Sequence, residues 1–291
     1  MLGKLIKYDM SALSRILGPL QGIALIVALV AAAFGLVGYW TNEVSLLSFG
    51  LEEIVEIFAG MGVIVGALAI ACLIPATLVI ILHRFYTNFY TDQGYLTFTL
   101  PVKASDLLWS KVIAGALWTA IAGLVSLAGM LLVNYAIYGF TSEASLTSTM
   151  PYWILSGDFD IFGMSEADAF APLVMLGGCV RTYLSIFAVL MMAFTGFALG
   201  ATWARQHKVI CGIALFLALW VGLSMVWGTV TIFAATMVDM VISDGSYTSS
   251  QVVNGMQYQL AQGLDVLRNV IVCVGGFLIC YVCLRKHVNL S

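Results

Sequence analysis

The sequence predicts an all-α polytopic membrane protein: six transmembrane helices preceded by an amphipathic N-terminal helix, with both termini in the cytoplasm. Three observations carry this. Of 291 residues, 62% are hydrophobic and 9% charged, against about 45–50% and about 25% in a typical soluble domain. Six apolar runs approach or exceed the roughly 20 residues needed to cross about 30 Å of hydrocarbon. Ten of the twelve Lys and Arg fall on one side of those runs. A net charge of −3 excludes a nucleic-acid binder, and the scarcity of charge excludes a soluble enzyme.

Leu2 to Leu17 comes first. At 100° per residue, Leu2, Leu5, Ile6, Met10, Leu13, Ile16 and Leu17 fall within an arc of about 140°. Lys4, Lys7, Ser11, Ser14 and Arg15 occupy the opposite face. This predicts a helix (residues 1–17) seated in the inner headgroup region, its basic face toward anionic lipid. Asp9 falls inside the apolar arc and needs either a partner on the neighbouring cytoplasmic loop or interfacial water. Gly18-Pro19 is expected to end this helix, because Pro lacks a backbone donor and disfavours helical geometry before it.

The spans follow at about 16–39, 58–82, 112–138, 182–203, 209–238 and 269–284. The runs are continuous, without the period-2 alternation of a membrane barrel. Lys4, Lys7, Arg15, Arg84, Lys103, Lys111, Arg205, Lys208, Arg285 and Lys286 share one side, leaving Arg181 and Arg268 for the other. By the positive-inside rule both termini are cytoplasmic. Tyr39, Trp40, Trp109 and Trp203 stand at the depths where amphipathic rings settle. Pro75 is expected to kink span 2. The outer segments 139–181 and 239–268 hold most of the acids.

The spans so drawn hold almost no ionisable residues, which ion-coupled transporters place inside the membrane at about 2.5–3.5 kcal/mol each. Arg181, near the outer end of span 4, is expected to snorkel to the interface. Five of six cysteines lie within spans as small hydrophobes. Cys280 and Cys283 form a CxxC without companion ligands, so no metal site is expected. No Walker A motif and no catalytic constellation is present, so the chain is expected to be no enzyme and to bind no cofactor directly. Energy for uphill movement would come from another polypeptide.

The loop 83–111 is more apolar than a solvated linker, with Tyr95, Leu96, Phe98 and Leu100 grouped after Gly94 and stopped by Pro101. Such a cluster points to a docking surface, the plainer reading being a segment lying on the membrane. Ser105 is expected to cap the helix leading into span 3, with Asp106 favourable in its first turn.

The stretch Asp92-x-Gly94-x-Leu96-x-x-x-Leu100-Pro101, followed by Leu107-Leu108-x-x-Lys111 and an apolar span, resembles the signature loop of ABC-2 type transporter permeases. The amphipathic N-terminal helix, six spans and cytoplasmic termini extend the resemblance along the chain, although the two outer segments are longer than in the plainest family members. It implies that Gly94–Pro101 is a coupling helix seated on a separate ATPase, with Asp92, Tyr95, Leu96, Phe98, Leu100 and Lys111 in that contact. The N-terminal segment with Lys4, Lys7, Asp9 and Arg15 would be the connecting helix. Two ATPase copies holding ATP and Mg, and a second permease chain, are implied as partners in a bacterial inner membrane. Small residues four apart let membrane helices approach closely. Of Gly18/Gly22, Gly62/Gly66 and Gly196/Gly200, the resemblance favours Gly18/Gly22 for the dimer seam. The cargo expected of apolar spans is amphipathic or apolar, an antimicrobial peptide or drug-like compound. The alternatives are a non-transporting scaffold or sensor subunit, or an ion-coupled secondary transporter.

Overall fold

The computed structural model describes residues 2–44, 51–91, 94, 102–138, 171–204, 207–243 and 250–286. Among them the chain is all helix, with no strand. The helices are α1 (Leu2–Val44), α2 (Leu51–Tyr90), α3 (Ala104–Tyr138), α4 (Ala171–Trp203), α5 (Lys208–Ser243) and α6 (Ser250–Lys286). Each contains one expected span, and all six are long and apolar enough to cross a membrane. At 1.5 Å per residue a 40-residue helix such as α2 runs about 60 Å, twice the hydrocarbon thickness.

The extra length carries helix past three boundaries drawn from the sequence. Gly18-Pro19 does not end a helix: α1 is continuous with Pro19 inside it. The reason lies in its buried stripe, Asp9, Leu13, Leu17, Gln21, Ala24, Ala28 and Ala31, whose steps of three and four run unbroken across the proline. Pro19 forfeits one hydrogen bond, whereas unwinding would free several backbone groups beside an apolar phase. Second, His83–Tyr90 is helix rather than loop. Third, α5 and α6 leave only 244–249 between them, so most of the presumed outer segment 239–268 is helical. Residues 139–170, which hold most of the other outer segment, lie outside the described residues.

The chain divides into two compact units, Met1–Ile81 with Ser110–Leu155, and Leu82–Trp109 with Ser156–Ser291. In the first, Ala28, Ala31, Ile70 and Val133 form a buried cluster joined by Val63. Small residues make it possible. A β-carbon on Gly62 would come within 2.7 Å of the Phe34 ring, and one on Gly66 would collide with Ala31. Without a hydrophobic drive between helices in lipid, such close van der Waals contact is what holds them together.

In the second unit α4 packs on both α5 and α6. It is buried on nearly every side from Leu190 to Gly200, as expected of a helix at the centre of a bundle. Gly196 faces the Phe216 backbone at 2.8 Å from where a β-carbon would stand, and Gly200 faces the Gly212 backbone closer still. The Gly62/Gly66 and Gly196/Gly200 pairs therefore serve packing within the chain. Gly18 and Gly22 face open space.

Hydroxyl groups along the helices are satisfied locally. Thr77 donates to the Leu73 carbonyl at 2.8 Å, Thr195 to Met191 at 2.8 Å and Thr236 to Phe233 at 2.8 Å. Bonding to the preceding turn removes the cost of a bare hydroxyl in hydrocarbon.

Candidate functional site

Asp92, Tyr95, Leu96, Phe98, Leu100 and Pro101 lie outside the described residues. What the structure describes is the ground on either side of them. Gly94 is buried, and its N–H donates to the Thr91 carbonyl at 2.7 Å, continuing a helical turn past the end of α2. On the far side, α3 starts at Ala104, with the Lys103 carbonyl accepting from the Asp106 and Leu107 N–H groups at 2.9 and 3.3 Å. Ser105 is thus inside the first turn rather than capping it, and Lys103 holds the cap position. Asp106 stands in that first turn, where its charge opposes the positive end of the helix dipole.

Lys111, one turn further along α3, donates to the Asp9 carboxylate of α1 in a salt bridge. Their side chains are 13% and 12% exposed. The acid that breaks the apolar arc of α1 thus meets a cation from the foot of α3, within one compact unit. Removing Lys111 strands a buried carboxylate, which costs about 3–5 kcal/mol. Lys4, Lys7 and Arg15 are exposed, on the face of α1 away from this pair.

The end of α2 is held by aromatic packing that sequence reasoning missed. Phe85 stacks on Phe194 of α4 with ring centroids 4.1 Å apart and planes at 18°. Phe89 meets Phe85 edge-on at 5.2 Å, and Tyr86 meets Phe197 at 5.9 Å. Phe85 and Phe89 are fully buried. The signal was legible: aromatics at 85 and 89, one helical turn apart, put one sticky stripe on a continuing helix. Two buried polar atoms there, the Arg84 Nε and the Tyr90 hydroxyl, have no hydrogen-bond partner among the described residues. At the start of α3, Trp109 lies 4.5 Å from the Phe277 ring of α6.

Arg268, drawn in the outer segment 239–268, is helical. It sits well inside α6 rather than in an outer loop, bonded to Asp265 at 3.3 Å. Asn269 beside it is buried. Asp239 near the end of α5 accepts from the Gln257 amide of α6 at 2.6 Å, while that amide also reaches the Ala235 carbonyl at 3.2 Å. Cys280 and Cys283 are buried, the Cys280 thiol lying 3.9 Å from the Thr195 hydroxyl. No group of three His, Cys, Asp or Glu able to hold a metal exists among the described residues.

Compared with family models, with curated proteins and with solved structures, the chain finds no match. The class these observations define is a multi-helix membrane protein with six helices able to span a bilayer.

Proposed function

We propose that this chain is the membrane-spanning permease of an ATP-driven exporter of the ABC-2 type. It would sit in a bacterial cytoplasmic membrane with both termini inside. The observation that carries the reading is the Asp9–Lys111 ion pair. It ties the N-terminal segment to the foot of α3, ten residues beyond the apolar segment Gly94–Pro101 that would seat on an ATPase. In this mechanism nucleotide binding closes two ATPase copies, and their motion enters through residues 94–101. The short rigid start of α3 then carries it to α1 through the ion pair. The chain supplies no catalytic group; ATP and Mg belong to the ATPase. A second permease chain completes the pathway, with Gly18 and Gly22 of α1 free to meet it. Spans almost free of ionisable residues suit an amphipathic or apolar cargo, a peptide or drug-like compound.

The test is affinity purification from the native membrane in mild detergent, with mass spectrometry of what accompanies the chain. An ATPase bearing a Walker motif at near one-to-one stoichiometry is expected, and a related permease in the same eluate would make the assembly a heterodimer. Absence of any ATPase even after cross-linking favours a scaffold or sensor subunit. Cargo movement that survives ATP depletion but collapses with the ion gradient favours a secondary transporter.

A further inference from the structure

A cavity of about 100 Å³ opens among α4, α5 and α6, all within the second compact unit. Its polar wall is Arg268 and Asn269 of α6 with Ser185 of α4 and Ser224 of α5, and its apolar wall includes Met192, Leu223 and Val272. Depth can be measured along the helices. Ser185 lies roughly 27 Å from the Trp203 end of α4, Ser224 roughly 24 Å from the Lys208 end of α5, and Arg268 roughly 27 Å from the Lys286 end of α6. With those ends at one interface, the polar wall meets the opposite boundary of a hydrocarbon layer about 30 Å thick. The apolar wall continues inward from it.

The guanidinium is incompletely used. One nitrogen, Nη1, bonds Asp265 at 3.3 Å. Its Nε and Nη2 share a single neutral acceptor, the Asn269 Oδ1, both at the long distance of 3.4 Å. A guanidinium has five N–H donors in a fork suited to a two-oxygen anion. The Asp265 side chain is 42% exposed, so water weakens its hold. Ser185 and Ser224 line the same space, and the Ser224 hydroxyl is already committed to the Trp220 and Val221 carbonyls at 2.7 and 3.0 Å, so the donors left for an anion are those of Arg268 and Asn269. A guanidinium at this boundary with an incomplete set of acceptors keeps N–H donors to offer an anion.

We propose that this cavity binds the oxyanion head of an acidic amphiphile. Arg268 and the Asn269 amide hold the two oxygens, and the first carbons of the chain lie on Met192, Leu223 and Val272. The shared chemistry is a singly charged oxyanion on an alkyl tail, met with equally in a fatty carboxylate and in an anionic phospholipid. The inference rests on the helices spanning a bilayer and not on the exporter reading, so it stands or falls separately from ATPase association.

Trp220 lines the same cavity and provides the readout. The purified full chain in phosphatidylcholine nanodiscs is titrated with 9,10-dibromostearate, with its uncharged methyl ester, and with brominated phosphatidylglycerol. Expected is saturable fluorescence quenching by an acidic probe beyond that by the ester, lost in Trp220→Phe. Whether dibromostearate or brominated phosphatidylglycerol saturates first identifies the source of the head. Arg268→Gln weakens binding about tenfold, the loss of one charged hydrogen-bond set, while Arg268→Lys weakens it less. Asp265→Asn removes the competing carboxylate and tightens binding, an outcome that a damaged fold does not produce. Equal quenching by acid and ester overturns the proposal, as does unchanged affinity in Arg268→Gln or weaker binding in Asp265→Asn.

Discussion

The Asp9–Lys111 pair offers the sharpest test of how the foot of the bundle is built. Both side chains are nearly nine-tenths buried, so neither charge can be rehydrated in place when its partner is lost. Lys111→Gln leaves a carboxylate with a desolvation cost unmatched by attraction, while Asp9→Asn takes the carboxylate away from the ammonium. Lys111→Gln should therefore lower stability by about 3–5 kcal/mol, and Asp9→Asn by no more than that. The double variant Asp9→Asn with Lys111→Gln leaves two neutral groups of similar shape in contact, and should recover much of that loss. A double-mutant cycle measured by detergent-induced unfolding, followed by circular dichroism, should give a coupling of about 2 kcal/mol or more. The charge swap Asp9→Lys with Lys111→Asp restores attraction, though with an altered reach, and should rank between wild type and the singles. The reasoning is refuted if the two single changes are additive, or if each costs under about 0.5 kcal/mol as exposed pairs do. If the pair also transmits motion, either single change in a reconstituted complex should leave ATPase association intact while lowering cargo-stimulated turnover.

Four further outcomes can be checked. Gly200→Ala places a methyl group against the Gly212 backbone, which cannot move aside. It should cost about 1–3 kcal/mol in the same unfolding assay, more than Gly62→Ala, whose obstacle is the rotatable Phe34 ring. Phe85→Ala removes a fully buried ring stacked on Phe194 and should cost about 3–5 kcal/mol, with proteolysis at 85–94 accelerated. Leu96→Asp with Phe98→Asp should abolish co-purification of the ATPase while membrane insertion, scored by carbonate extraction, is unchanged; retained association removes the coupling-helix assignment. Replacing the exposed Lys4, Lys7 and Arg15 by Glu should weaken seating of the start of α1 at an anionic surface by about 1 kcal/mol per charge. Cysteine-accessibility mapping there should show new labelling, and an unchanged pattern counts against that seating.

Much of the architecture is legible without coordinates. Hydrocarbon thickness imposes a length on any apolar run that crosses it, and a run of that length has one conformation that satisfies its backbone. Composition therefore determined the class, the number of helices and the centre of each. The oddity of Asp9 was legible too, since one acid in an apolar arc violates the helical period on a face that must be covered. Small residues at 62 and 66, and at 196 and 200, announced close approach.

Tertiary structure decided the ends and the partners. Where a helix stops depends on what lies beside its last turns, not on the bilayer. Phe85 extends α2 because Phe194 is there to stack on, with Phe89 edge-on to Phe85, and α1 passes Pro19 because its buried stripe continues on the other side. Lys111 as the partner of Asp9 is a contact across 102 positions, and no local pattern encodes which distant cation will arrive. Arg268 makes the same point. Counted along the chain it is one charge at the edge of an outer segment, and only the packing of α4, α5 and α6 sets it on a cavity, because side-chain direction on a helix has no meaning until a neighbour occupies one face.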